Sequence, residues 1–222
     1  MMDHIQATVV LAQRLNATIW KYRLQPEQAV AYQAGQYLQI HRGDQGYYYS
    51  IANAPSEGSY YELHIRHADH DQPWALQQSL KLSLPYGRCH LDQLTDKPIL
   101  FLAAGTGFAP IRAMIEDLQE RMDPRRLELY WGVAQEDDLY DNKSVQYWKK
   151  NHPGFQYFAH IAQSHQPGLT PLVLAQHPHD LQDWQVVMAG PFEYMYRMRD
   201  DLLAQGLAPQ SIFSDAFEFA AR

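Results

Sequence analysis

The 222-residue sequence predicts an all-β part followed by a parallel α/β part, and three observations carry that reading. Residues 1–97 hold short segments rich in β-branched, aromatic or alternating residues, separated by turn formers. From Ile99 onward, apolar strand-like runs alternate with helical periodicity, the pattern of a parallel sheet with helices on both faces. At the join lies PILFLAAGTGFAPIR, Pro98–Arg112, which reads as strand, glycine turn and helix.

The predicted strands of the first part are Ile5–Leu11, Thr18–Leu24, Tyr37–His41, Tyr47–Ala52 and Tyr60–Arg66. Asn16, Pro26, Gly35, Gly43-Asp44, Pro55 and Gly58 punctuate them, a spacing that suits a small antiparallel barrel or sandwich. Trp74–Leu84 reads as a helix, and Pro85-Tyr86-Gly87 as a turn before a last strand, Arg88–Leu91. Asp96-Lys97-Pro98 is the expected seam, which gives domains of residues 1–97 and 98–222.

Ile99–Ala103 is an uninterrupted apolar run, as for a strand buried on both faces. After Gly105-Thr106-Gly107-Phe108-Ala109-Pro110, the residues Ile111, Met114, Ile115, Leu118 and Met122 recur on one helical face. Strand, glycine turn and helix bring backbone N–H groups and a helix N-terminus close to an anion. Pro110 suits the start of the helix, where a missing donor costs nothing. Further strands are expected at Leu127–Trp131, Phe155–Ile161 and Gln185–Met188, and helices at Ser144–Lys150, Pro171–Gln176 and Pro191–Gln205. Thr170-Pro171 reads as a helix cap and first residue, and Gly206 as the glycine past a helix end.

The net charge is −7 and there is no basic run, which argues against nucleic acid or an anionic membrane as partner. The first residues, MMDHIQATVVLAQ, lack the pattern of a secretory leader, and no segment approaches about 20 apolar residues. A cytoplasmic protein is expected. The single cysteine, Cys89, excludes a disulfide within the chain and a cluster held by its own cysteines. His64, His67 and His70 alternate faces along a strand, so no metal site is expected from them.

Five segments together resemble one family: Tyr49-Ser50-Ile51-Ala52-Asn53-Ala54-Pro55, Gly105-Thr106-Gly107-Phe108-Ala109-Pro110, Tyr130-Trp131-Gly132, Ala189-Gly190-Pro191 and Ser214-Asp215-Ala216-Phe217. In this order and spacing the chain resembles the ferredoxin–NADP⁺ reductase superfamily, and within it the short NAD(P)H:flavin oxidoreductases that reduce free flavin. The resemblance implies an N-terminal antiparallel Greek-key β-barrel followed by a Rossmann-like parallel α/β domain. It also implies an enzyme that transfers hydride from NADH or NADPH to riboflavin, FMN or FAD. The flavin would be a dissociable substrate between the two domains, and a protein acceptor of reduced flavin would be transient. The rival reading is a reductase component that keeps FAD and passes electrons to a protein such as an oxygenase. A third is a non-catalytic binding module, against which the retained Ser50, Gly105 and Gly107 count.

By the same resemblance, Ser50 would approach flavin N5 as the catalytic hydroxyl, and Tyr49 would pack beside the ring or its ribityl chain. The flavin set comprises Tyr47, Tyr49, Ser50, Ile51, Ala52, Asn53, His64, Ile65, Arg66 and Phe217. The nicotinamide nucleotide set comprises Gly105, Thr106, Gly107, Phe108, Pro110, Gly132, Gly190 and Pro191. Two departures bear on the flavin tail. Tyr47 stands where the family places a phosphate-binding arginine, and the usual Gly-x-x-Ser/Thr turn is missing around Gln72–Ser79. The site would then hold the ring and ribityl chain but not a phosphate, unless Arg66 or Arg88 substitutes. Ala189 replaces a cysteine common in ferredoxin-type members, which direct hydride transfer tolerates. Glu136-Asp137-Asp138 after the second parallel strand favours a ribose 2′-hydroxyl, hence NADH. Arg112 or Arg125-Arg126 would be the residues to suspect if NADPH were preferred.

Overall fold

The described residues of a computed structural model, 4–68, 73–162 and 168–218, form two compact units. Met1–Leu91 with Ala109–Arg121 make the first, and Asp92–Phe108 with Met122–Arg222 the second.

The first unit contains β1 (Ile5–Arg14), β2 (Ile19–Pro26), β3 (Tyr37–Arg42), β4 (Gln45–Ser50), β5 (Tyr61–Arg66) and β6 (Ser79–Tyr86). They pair antiparallel in the order β4-β3-β6-β1-β2-β5. Beyond the end of β4, the Ala52 N–H donates to the Glu62 carbonyl on β5 at 2.8 Å, which draws the two outermost strands together. Period-two alternation fills the interior. Leu38 and Ile40 on β3, Leu63 and Ile65 on β5, and Leu80, Leu82 and Leu84 on β6 join Val9, Tyr22 and Leu24 in one buried cluster. Removing this apolar surface from water is the main stabilising term for the unit.

Two expectations fail here. Trp74–Leu84 is not a helix: Ala75–Gln78 form a turn, with Gln77 at φ +66°, and Ser79 begins β6. The leucines at 80, 82 and 84 follow strand periodicity, and it is this spacing that the barrel buries. Arg88–Leu91 is not a strand either. Gly87 turns the chain at φ +95°, and Leu91 opens a short 3₁₀ turn.

The second unit contains β7 (Ile99–Ala104), β8 (Leu127–Val133), β9 (Phe155–Ile161), β10 (Gln185–Ala189) and β11 (Ile212–Phe213), all parallel, in the order β11-β10-β7-β8-β9. Its helices are α2 (Asn142–Asn151), α3 (Leu169–Gln176) and α4 (Phe192–Ala204). Leu100, Leu102, Tyr130 and Met188 face α3 and α4, where Leu169, Val173, Met195 and Met198 meet them. On the other face Trp148 of α2 meets Phe108 and Phe155. The short β11 has no counterpart among the predicted strands. α3 begins one residue before Thr170, because the Tyr194 hydroxyl of α4 accepts the Leu169 N–H at 3.1 Å. Thr170 is therefore a buried helical residue rather than a cap.

The helix after the glycine turn, α1 (Phe108–Glu120), is shared between the units. Phe108 falls with the parallel sheet and Ala109–Arg121 with the antiparallel one. The observed division thus differs from a single break at residue 97, because a helix expected to belong to the sheet packs on the strands before it.

Candidate active site

Strand order fixes where a parallel sheet can bind. β7 is followed in sequence by β8 on one side but is flanked by β10 on the other, so the strand order reverses there. Ligands of open α/β sheets lie outside the carboxyl ends of the strands at such a reversal. At that place the chain puts Gly105-Thr106-Gly107 after β7 and Gly190-Pro191 after β10. Gly105 sits at φ +57° with open space around a Cβ position. Gly107 has no space: a Cβ would lie 2.0 Å from the Ala189 carbonyl oxygen. Gly190, at φ +155°, would bring a Cβ to 2.7 Å from that of Ala104. Only glycine lets these two turns approach so closely at the place where a sheet of this order binds its ligands.

An indole fastens this turn. Trp131 Nε1 on β8 donates to the Gly105 carbonyl at 3.0 Å, and the Trp131 ring stacks on Phe108 at 3.9 Å between centroids. Phe108 is fully buried in that stack, and Pro110 is buried too. Thr106, in contrast, is half-exposed. Gly132 lies under Leu169 of α3, whose side chain would meet a Cβ at 3.0 Å, so packing accounts for this glycine. Trp131 stood within a recognised motif but outside the expected site set. Its spacing from the glycines carries no signal, since parallel pairing of β7 and β8 is what makes them neighbours.

In the first unit, β4 ends at half-buried Ser50. Half-buried Tyr49 packs edge-on against Trp74 at 5.8 Å. Exposed Tyr47 lies beneath the Arg42 guanidinium, 5.2 Å from the ring centroid. Ile51 and Ile65 point into the barrel core. The backbone of Ala52 is engaged on both sides, its N–H by Glu62 and its carbonyl by Arg112 Nη1 at 2.7 Å. Asn53 is buried. Its Oδ1 accepts the Glu62 N–H at 2.8 Å, and its carbonyl accepts the Tyr32 hydroxyl at 3.0 Å. These hydrogen bonds fix the segment that follows Ser50.

Behind that segment lies a buried ionic cluster. Glu62 is fully buried, with Arg23 Nε at 2.9 Å, His64 Nε2 at 3.1 Å, Lys21 Nζ at 3.2 Å and Arg112 Nη1 at 3.5 Å. Burial alone would raise the Glu62 pKa. The hydrogen bond and charge of His64, with Arg112 and Lys21, outweigh it and hold the carboxyl well below its usual range. Burial pushes the His64 pKa down, against the pull of Glu62. His64 thus faces a carboxylate, and Arg66 donates to Thr18 Oγ1 at 2.7 Å. His67 pairs with the Tyr22 hydroxyl at 2.9 Å, and His70 lies outside the described residues.

Three more placements concern residues named from the sequence. Arg112 is buried between Glu62, Glu116 and the Ala52 carbonyl, so it is closed to a nucleotide phosphate. Arg125 and Arg126 precede β8, at the amino end of the sheet. Arg125 is engaged by both Asp123 oxygens, and Arg126 lies over Trp184 at 4.8 Å. Phe217 packs on Tyr196 of α4 at 5.3 Å, with the Arg199 guanidinium 5.3 Å from its ring.

Residues 101–200 match the oxidoreductase NAD-binding domain family. A CDP-6-deoxy-L-threo-D-glycero-4-hexulose-3-dehydrase reductase of Yersinia pestis is 33% identical over 211 residues, which is 90% of this chain and 64% of that protein. The chain therefore spans less than two thirds of the length of that relative. An NAD(P)H-flavin reductase of Aliivibrio fischeri is 29% identical over 97% of this chain and 99% of its own length. Among solved structures, an Amycolatopsis cytochrome P450 reductase superposes with a TM-score of 0.85 at 23% identity, over 96% of this chain and 69% of that one. No helix among the described residues is long and apolar enough to cross a membrane. The chain thus has the fold of these reductases, and its residues 101–200 match the oxidoreductase NAD-binding domain family.

Proposed function

We propose that this protein transfers hydride from NAD(P)H to a flavin, with the nicotinamide nucleotide on the parallel sheet, the flavin at the end of β4, and the flavin exchanging as a substrate. The observation that carries the reading is the pair of turns at the carboxyl ends of β7 and β10, where Gly107 meets Ala189 and Gly190 meets Ala104. That contact holds the two glycine turns together at the reversal of strand order. The bound nucleotide and flavin supply the redox chemistry, a hydride donor and its acceptor. The chain orients them: Trp131 holds the Gly105 turn, and Arg112 and Asn53 hold the backbone next to Ser50. The Ser50 hydroxyl can donate or accept, which suits a nitrogen that changes protonation on reduction. The near full-length match to a flavin reductase favours exchange of the flavin. The second reading, a flavin kept in place and an electron-accepting protein partner, rests on the relatives named as reductases of a dehydrase and of a cytochrome P450.

The test is oxidation of NADH by the purified protein on addition of riboflavin, FMN or FAD, with the visible spectrum taken first. Saturable, flavin-dependent oxidation by a colourless protein is the expected result. A stoichiometric flavin that survives dialysis would favour the partner-linked reading; no oxidation with any flavin would sink the first reading, and failure of NADH to bleach a retained flavin would sink the second. Ser50→Ala is expected to slow flavin reduction in stopped flow while flavin affinity holds. A rate within about twofold of the unaltered protein would remove Ser50 from the chemistry.

A further inference from the structure

The cations of the first unit differ in what engages them. Lys21, Arg23 and Arg112 surround Glu62. Arg14 donates to the carbonyls of Asn16 and Ala17, and Arg66 to Thr18. Arg42 is different. It is exposed, pairs with no carboxylate among the described residues, and is held by two rings, Tyr47 at 5.2 Å and Trp74 at 5.6 Å from its guanidinium carbon. A guanidinium fixed against aromatic faces keeps its planar fork of N–H donors for an oxyanion, with little side-chain freedom left to lose.

Its position relative to Ser50 sets the kind of ligand. The register pairs Ile40 with Tyr47 and Leu38 with Tyr49, so Arg42, Tyr47 and Tyr49 share one side of the β3–β4 hairpin. Tyr47 precedes Ser50 by three residues, about 10 Å at the rise of a strand. β4 is an outermost strand of its sheet, and its residues Gln45 to Tyr48 are exposed. A flavin ring placed at Ser50, with its ribityl chain running back along β4, would bring the end of that chain to Arg42.

On the reading of a flavin at Ser50, we propose that Arg42 grips the phosphate of the flavin tail, so that FMN and FAD bind in preference to riboflavin. The guanidinium then comes from β3 rather than from position 47 of β4, and Tyr47 serves as the surface that orients it. This reverses the indifference to phosphate expected when Tyr47 is read alone.

The experiment is fluorescence titration of riboflavin, FMN and FAD against the unaltered protein, Arg42→Gln and Arg42→Lys. In the unaltered protein FMN and FAD should bind more tightly than riboflavin, with a margin that shrinks as salt is added. Arg42→Gln should weaken FMN and FAD roughly ten- to a hundredfold, the scale of a charge-assisted hydrogen bond, and leave riboflavin within about twofold. Arg42→Lys should fall between, since the charge remains but the fork is lost. Equal weakening of riboflavin and FMN by Arg42→Gln, or no change in either, would overturn the proposal. If no flavin binds the unaltered protein, it is the flavin reading that fails. Thermal melts check that the exposed substitution leaves the fold intact.

Discussion

Glu62 shows how one residue can organise a surface that the sequence presents as ordinary. In YELHIR it occupies the outward phase of a strand, where a carboxylate is usually solvated. In the structure it is fully buried, because α1 arrives from about fifty residues away and lays Arg112 across it. Nothing in the local alternation of β5 announces that cover, so neither Glu62 nor the structural role of Arg112 was legible. Glu62→Gln should destabilise the protein by about 3–5 kcal/mol, because Lys21 and Arg23 would lose the carboxylate they share and Arg112 would keep only Glu116. The effect carries a pH signature. A carboxyl held below its ordinary value of 4.5 stabilises the fold above that pH and ceases to do so as the pH falls further. Melting wild type and Glu62→Gln in parallel should therefore show a large gap in Tm at pH 7 that narrows below about pH 4.5. A gap that stays constant with pH would mean that packing, not charge, holds the site.

At the scale of the element, the glycine turn was the most legible part of the chain, because it depends on local chemistry. An apolar run, two glycines and a helical repeat follow one another between Pro98 and Met122. The sequence could not rank the two glycines, however. Gly105 needs only a left-handed backbone, whereas Gly107 has the Ala189 carbonyl where a Cβ would go. Gly105→Ala should cost about 1–2 kcal/mol, the ordinary penalty for a side chain in that conformation. Gly107→Ala has no such limit, since neither backbone can give way without moving β10 from β7. It should lower Tm more than Gly105→Ala and raise KM for NADH by roughly tenfold or more, through misplacement of the turn. Similar Tm and KM for the two variants would show that the contact with Ala189 is not decisive. The misread segment, Trp74–Leu84, failed for the opposite reason. Its leucines at 80, 82 and 84 carry strand periodicity, and the helical reading extended from Trp74 through the turn at Ala75–Gln78.

At the scale of the whole molecule, the distribution of charge bears on the choice between the two nicotinamide nucleotides. A 2′-phosphate would need a cation near the carboxyl end of β8, where an adenosine ribose lies in folds of this kind. The first residues after that strand with charge are Glu136, Asp137 and Asp138, in a 3₁₀ turn. The arginines that the sequence offered as alternatives are elsewhere engaged: Arg112 is buried with Glu62 and Glu116, and Arg125 and Arg126 lie before β8 with Asp123 and Trp184. A net charge of −7 adds no general attraction for a further phosphate dianion. NADH should therefore be used at least as well as NADPH. Lack of one charge-assisted contact, on the order of 1.5–3 kcal/mol, corresponds to roughly a tenfold or greater advantage in kcat/KM. Steady-state kinetics with both nucleotides at one fixed flavin concentration decide it. Replacing the acidic turn by Glu136→Arg should narrow the margin by improving NADPH, with NADH little changed. A clear preference of the unaltered protein for NADPH would overturn the argument and direct attention to Lys143 on α2, the first cation after the acidic turn.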